Sequence, residues 1–583
     1  MYRKPLYVLG AVIVVLSMVL AACAPQPTEA PPAAETEAPP PPPTEPPPPP
    51  PEAPTEAPAM TEEPAGYEGM KYEAPDCEYG GVFKSIEAVD ELTVKFTMCV
   101  PVPGMPAIAA FSAFQIYPAE YLEATGGGGE LVEKPIGTGP YMLEAWNRGE
   151  SVVLKRFEDY WGDPAKAPTA ELRWSQEGAQ KLIELQAGTV DGIDNVAPDD
   201  IPNVEADPNL QLAPRAPFNI FYVGMNNTYP PYDKEEVRQA IAMGIDRKRI
   251  VDTFYPPGSS VANQFLPEGL LARPDSTYYE FDIAKAKELL TAAGFPDGFK
   301  TVLNYRNVFR GYLPEPPVVA QDIAAQLKEN LNIDVEIVEI ESGTFIDMSD
   351  NGELEGLHLL GWTGDYPDPT NFYDYHFGSG ATDQFGTKWD DITSRLSQAA
   401  QLGDEEARRA IYAEVNDLLK QHVPMIPIAH GASAAAYKAD VQGAHASPLG
   451  NESLEVMYIE GQDTFTFMQN AEPIGLYCAD ESDGESLRAC EQISESLLAY
   501  EVGGAEVIPS LATDYTSNDD ATEWVFNLRE GVLFHDGSTL DANDVVLSYV
   551  VQWDAAHPLH VGRDGNFSYF SGLFGGFLNP PPP

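Results

Sequence analysis

Positive charge is scarce in this chain of 583 residues: 34 Lys and Arg stand against 90 Asp and Glu, a formal net charge of -56. No basic surface is available to release counterions from a phosphate backbone, which excludes nucleic acid as a partner. Anionic membrane surfaces repel such a body. Cysteine is also scarce, and five are too few for a disulfide-built scaffold. The eight histidines form no concentrated cluster. His557 and His560 are separated by Pro558-Leu559, and the proline argues against a helical metal face. No metal and no cofactor are expected. Catalytic signatures are missing: there is no G-x-S-x-G elbow, Walker A loop, H-E-x-x-H or Cys-x-x-Cys. Gly126–Gly129 lacks the Lys-Ser/Thr of a phosphate loop and reads as a flexible surface loop. His535, before the turn dipeptide Asp536-Gly537, reads as a turn-flanking side chain.

Long apolar runs are missing except at the start. Arg3 and Lys4 precede an apolar run from Leu6 to Leu20. At about 15 residues it is shorter than the roughly 20 that span a bilayer. Charge, short apolar core and small residues before a break make a secretory signal over residues 1–22. The break, Leu20-Ala21-Ala22-Cys23, resembles a bacterial lipobox, in which the cysteine is lipidated and becomes the mature terminus. Residues 23–66 are dominated by Pro, Glu, Thr and Ala, with almost nothing apolar to offset ordering entropy. At roughly 3.1 Å per residue in a polyproline helix, such a tether reaches about 100 Å.

From residue 67 the pattern is mixed α/β. Leu92, Val94, Phe96 and Met98 alternate with polar residues, as in a half-buried strand. Asp233 with Glu236 makes a capping-box pattern before Val237, Ala240 and Ile241. Asp246, Asp282 and Asp404 read as caps of further helices, and Asp541 with Asp544 opens another.

Several stretches resemble family 5 extracellular solute-binding proteins of ABC importers, the group that binds oligopeptides, dipeptides and nickel. They are Ile136-Gly137-Thr138-Gly139-Pro140-Tyr141 with Tyr160-Trp161-Gly162; Met225-Asn226-Asn227 with Val237-Arg238-Gln239-Ala240-Ile241; Gly361-Trp362-Thr363-Gly364-Asp365-Tyr366-Pro367-Asp368-Pro369; and Leu528-Arg529-Glu530-Gly531-Val532 with Phe534-His535-Asp536-Gly537. Their order is not the family's. Residues 462–551 resemble its N-terminal portion and residues 67–460 the remainder. The blocks are complementary rather than repetitive, which reads as a circular permutation; a tandem fusion of broken copies and a gene-model artefact are the alternatives.

The resemblance implies a two-lobed periplasmic-binding-protein-like clamshell of type II with an extra small subdomain. The hinge-connected lobe would combine residues 133–225 and 440–490, the opposite lobe residues 226–439, and the small subdomain residues 67–132 and 491–583. It also implies a receptor and not an enzyme: a monomer that takes a small solute, most simply a peptide, to an ABC permease and ATPase complex, outside the cytoplasm, touching the membrane through its lipid only. Asp365 matches the position where peptide-binding relatives hold the ligand ammonium, with Trp362, Thr363 and Tyr366 beside it. The competing reading places Asp365 and Asp368 in a Pro-flanked turn. An oligosaccharide is the alternative ligand, with Trp362, Tyr366, Phe372, Tyr373, Tyr375 and Phe377 available to stack on sugar rings. A secreted hydrolase has only abundant carboxylates in its favour.

Export places the remaining four cysteines in an oxidising compartment. Four cysteines allow three connectivities. The local pairs Cys77–Cys99 and Cys478–Cys490 need the least chain closure, and free buried thiols are the alternative. If Cys23 carries the only anchor, Cys23→Ser releases the protein from the membrane pellet into the soluble fraction; retention of the variant in washed membranes contradicts that reading.

Overall fold

The computed structural model describes residues 67–270 and 272–580; the signal segment, Cys23 and the proline-rich stretch lie outside the described residues. Three sheets of five, six and seven strands and one two-stranded ribbon organise the body. The alternating strand runs Thr93–Met98 and buries Val94, Phe96 and Met98. It lies inside the five-stranded sheet, with Phe83–Asp90 on one side and Glu523–Leu528 on the other, so that Trp524 pairs with Phe96. The helix Ala542–Trp553, opened by the Asp541/Asp544 capping box, packs on this sheet. Phe96 meets Tyr549 at 4.9 Å and Phe526 at 5.6 Å between ring centroids. This core therefore joins residues more than 400 positions apart. Tyr72 and Asn579 bond opposite oxygens of one carboxylate, Asp554, at 2.7 and 3.0 Å.

The seven-stranded sheet runs in space as Tyr141–Asn147, Ser151–Arg156, Thr169–Trp174, Thr464–Gln469, Gly192–Ile193, Ser433–Lys438 and Leu210–Arg215. Thr464–Gln469 sits at its middle, parallel to both neighbours. The six-stranded sheet runs as Ser260–Val261, Met425–His430, Asn219–Met225, Leu357–Thr363, Lys300–Tyr305 and Asp334–Glu339. Asn219–Met225 is buried throughout.

Two strand assignments differ from the sequence boundaries. Asn219–Met225 belongs to the lobe of the six-stranded sheet, and Ser433–Lys438 to that of the seven-stranded sheet. The chain crosses between these sheets at residues 216–218 and 431–432, where short connections carry no compositional mark of a boundary. The Asn219 carboxamide ties the crossings together, donating to Gly431 O at 2.7 Å and accepting from Gly431 N at 2.8 Å. Glycine is required there: a Cβ on Gly431 would lie 2.2 Å from Gly311 O.

Asp246, Asp282 and Asp404 accept backbone bonds as helix caps. Asp233 does not. The helix Glu235–Gly244 starts after Lys234, whose carbonyl receives the Val237 and Arg238 amides and whose ammonium reaches Ala293 O at 2.8 Å. That anchorage moves the helix start past the capping pattern. Gly126–Gly129 is no free surface loop either. Gly127 and Gly128 are buried, and a Cβ on Gly127 would sit 1.9 Å from Leu559 O in the late segment packed against it. Both cysteine pairs are disulfides: Cys77–Cys99, and Cys478–Cys490, which fastens a short turn to the helix Gly484–Ile493.

Deleting residues 462–583 removes the central strand of one sheet and two strands of another. The expected product is insoluble or molten, with far-ultraviolet dichroism kept and near-ultraviolet signal lost. A cooperative unfolding transition of residues 67–460 alone would contradict this interdependence.

Candidate functional site

Lys300–Tyr305 and Leu357–Thr363 are parallel neighbours in the six-stranded sheet. Ligands of α/β sheets bind beyond the carboxyl ends of such strands. Both open here onto a cavity lined from both lobes. Arg306, Arg310, Trp362, Thr363 and Asp365 line it from one side; Asp194, Arg215, Glu485 and Arg488 line it from the lobe of the seven-stranded sheet. Tyr569, from the helix Ser568–Phe574, completes the wall.

The floor is a closed ionic network. Asp194 pairs with Arg215 and Arg488, each at 2.9 Å. Glu452 takes a 2.9 Å bond from Arg488 and a short contact from Arg215. Glu485 accepts from both terminal nitrogens of Arg310, Nη1 and Nη2, an ion pair that joins the two sides of the cavity. Burial alone would raise the Asp194 carboxyl; Arg488, Arg215 and Lys181 outweigh it and hold it well below the usual range. Burial brings Lys181 itself down to about 7. Three carboxylates thus face three guanidiniums.

Further ionisable groups of the cavity stand outside this balance. Asp365 is 8% exposed. Its Oδ2 accepts from Asn371 Nδ2 at 2.8 Å and from the Tyr569 hydroxyl at 3.1 Å, both neutral. Burial pushes this carboxyl up to about 7, against those two bonds, and among the described residues no cation pairs with it. Arg306 is 7% exposed. Its guanidinium donates to the Ser342 hydroxyl at 3.2 Å and the Tyr312 hydroxyl at 3.4 Å, again neutral partners. Asp350, in the same cavity, is raised to about 7 by burial and by Asp564 and Asp347, with Arg563 and then Arg306 pulling it down.

Of the residues singled out in the sequence, Asp365, Trp362 and Thr363 line the cavity. Trp362 stacks on Tyr375 at 4.3 Å and donates from its indole to Asn371 Oδ1 at 3.1 Å, the atom that also receives the Asp365 amide at 2.9 Å. Tyr366 does not line it. The ring is fully buried and turned toward Phe111, with its hydroxyl at Thr370, because the turn after Asp365 points alternate side chains into opposite environments. Asp368 caps the helix Pro369–Phe377 and is clamped by Arg408, so the Pro-flanked turn accounts for Asp368 and not for Asp365. Phe372, Tyr373 and Phe377 are core side chains, unavailable for stacking on sugar rings. His535 does more than flank its turn. Its ring bonds Gly137 N at 3.3 Å and Gly139 O at 3.0 Å, fastening the early Gly-Thr-Gly stretch to the late segment. Sequence reading missed Arg306, Arg310, Asn371, Glu485 and Tyr569. Only Arg306 had a usable signal: a cation directly after the strand Lys300–Tyr305 in a chain poor in cations.

A model of the bacterial extracellular solute-binding proteins, family 5 Middle, matches residues 32–384 and 506–564. The chain is 31% identical over 377 residues to di/tripeptide-binding protein 1 of Pseudomonas aeruginosa, covering 63% of this chain and 70% of that one. It is 28% identical over 390 residues to heme-binding protein A of Haemophilus influenzae, covering 65% and 71% respectively. Among solved structures, the periplasmic binding protein DppA of Helicobacter pylori in complex with the peptide STSA superposes with a TM-score of 0.60 at 26% identity, over 65% of this chain and 75% of that one.

The ion pair across the cavity carries a direct test. Glu485→Gln leaves Arg310 buried without a counter-ion and is expected to cost about 3–5 kcal/mol of stability in urea unfolding. Replacing both partners, Arg310→Met with Glu485→Leu, should recover most of that loss. A neutral single variant would contradict the burial of the pair.

Proposed function

The chain belongs to the bacterial extracellular solute-binding proteins of family 5, and from that membership we propose that it captures a short peptide between its lobes and delivers it to an ABC permease. It is a two-lobed solute-binding receptor of the type II periplasmic-binding-protein class, a family of receptors that work outside the cytoplasm.

One observation carries the ligand class. Asp365 and Arg306 are opposite in charge, both buried, both on one cavity, and neither makes a salt bridge among the described residues, Asp350 being a longer-range neighbour of Arg306. An unpaired buried charge costs several kcal/mol, and a ligand that supplies the missing partner recovers it. A peptide zwitterion supplies both, its ammonium at Asp365 and its carboxylate at Arg306, each as a charge-assisted hydrogen bond. An oligosaccharide carries neither charge and would leave both groups uncompensated. The peptide-binding relatives support the same class.

The lipid at Cys23, the tether over residues 23–66 and action as a monomer belong to this proposal as its setting: a soluble receptor on a leash beside its permease. So does a permuted chain order. In its favour, strands from both blocks share the five-stranded sheet, and Tyr72 and Asn579 meet at Asp554.

Asp365→Asn keeps shape and removes charge. Calorimetry should show the variant binding a dipeptide about 2–5 kcal/mol more weakly, the range for truncated buried charged bonds. The intact protein should prefer the free amine over the N-acetylated peptide, and the variant should not. With the Asp365 carboxyl raised to about 7, the empty site is protonated below that pH and the ammonium must displace a proton. Affinity is therefore expected to fall about tenfold per pH unit below 7, an acid limb absent from Asp365→Asn, and to fall again above about 8 as the peptide amino group loses its proton. A preference for the free amine that survives Asp365→Asn would move the ammonium site elsewhere.

A further inference from the structure

A second chamber lies between the small subdomain and the lobe of the six-stranded sheet, and it shares no lining residue with the cleft. Asp374 projects into it from the helix Pro369–Phe377. This side chain is 8% exposed, yet its Oδ2 has no hydrogen-bond partner among the described residues. The terminal nitrogens of the neighbouring cation are already committed, while its Nε has no hydrogen-bond partner among the described residues. Arg408 gives Nη1 and Nη2 to Asp368 at 2.8 and 2.6 Å, and Nη2 also reaches the Tyr412 hydroxyl at 3.0 Å. Asp374 Oδ2 is therefore left without a hydrogen bond at the chamber wall. Burial, and then the nearby Asp368, push it well above the usual carboxylate range, with Arg408 pulling the other way.

The rest of the wall is mixed: Thr370, Ser379, Thr393, Ser397 and Gln401 bring hydroxyls and an amide to one part of it. Val100, Val102, Ile108 and Leu573 supply hydrocarbon, and a Cβ added at Gly104 would meet nothing within 4 Å. A divalent metal does not fit, because it needs several oxygen ligands and the described residues hold no group of three His, Cys, Asp or Glu arranged for one. One unpartnered carboxyl oxygen beside a strip of hydrocarbon suits a single positive charge carried on an apolar arm.

We propose that this chamber is a second ligand site, for a primary alkylammonium whose nitrogen bonds Asp374 and whose chain lies along Val102, Ile108 and Leu573. The inference stands apart from the peptide reading of the cleft, since it uses none of the same residues.

The test is ligand-observed NMR titration of the full chain in an Asp365→Asn background, so that the cleft carboxylate does not compete. The probes are n-hexylamine and 1-hexanol. Hexylamine should bind and hexanol bind at least about tenfold more weakly, a ratio set by the charge. Adding Asp374→Asn should erase that difference. Gly104→Leu, placed in open space at φ -78°, should fill the chamber and abolish binding of both probes while leaving the unfolding midpoint in place. Absence of hexylamine binding, equal binding of the two probes, or amine binding that survives both substitutions would overturn the proposal.

Discussion

The arrangement depends on a buried ionic network at the cleft floor. Asp194, Glu452 and Glu485 face Arg215, Arg310 and Arg488, all nearly out of solvent. Each charge alone would be strongly destabilising; neutralised together, they fix the ends of several strands and one helix in a single geometry. The network is also closed on itself, and that closure has a functional consequence. Because its carboxylates and guanidiniums are already matched, they are not left to pair with a ligand, and Asp365 and Arg306, which make no salt bridge among the described residues, stand out against it.

The same network bears on motion. Arg310 and Glu485 come from opposite sides of the cavity, so their pairing exists only where the lobes are together. The crossings between the lobes are short and pinned by Asn219 and Gly431, which leaves few residues to absorb a change in backbone angle. Hinge closure of this kind encloses a ligand and strengthens the electrostatics of its pairing by excluding water. The structure thus links a local feature, two polar bonds at one asparagine, to the capture step expected of a solute-binding receptor.

Much of the fold was legible in the sequence, and the reasons are local. Asp246, Asp282, Asp404 and Asp541 cap helices because their side chains need only backbone amides within three residues. The period-two alternation around Phe96 marked a strand because one face of it is core. Asp365 and Trp362 were found through a contiguous stretch of sequence. What stayed hidden depends on contacts distant in the chain. The lobe boundaries were misplaced because the crossings at residues 216–218 and 431–432 look like any other short connection. Gly127 read as a free loop because Leu559, against which it packs, lies more than 400 residues away. Tyr569 and Arg306 belong to the site only once the chain has folded, and nothing at either position advertises the other.

The central claim is that the cleft holds a short peptide by its two terminal charges. It is tested most directly by native mass spectrometry of the protein purified from its own cells, followed by release and sequencing of whatever remains bound. The account predicts a short peptide with a free amino terminus and a free carboxylate. A bound saccharide in its place, together with an emptied protein that takes up nothing from a mixture of short peptides, would contradict it.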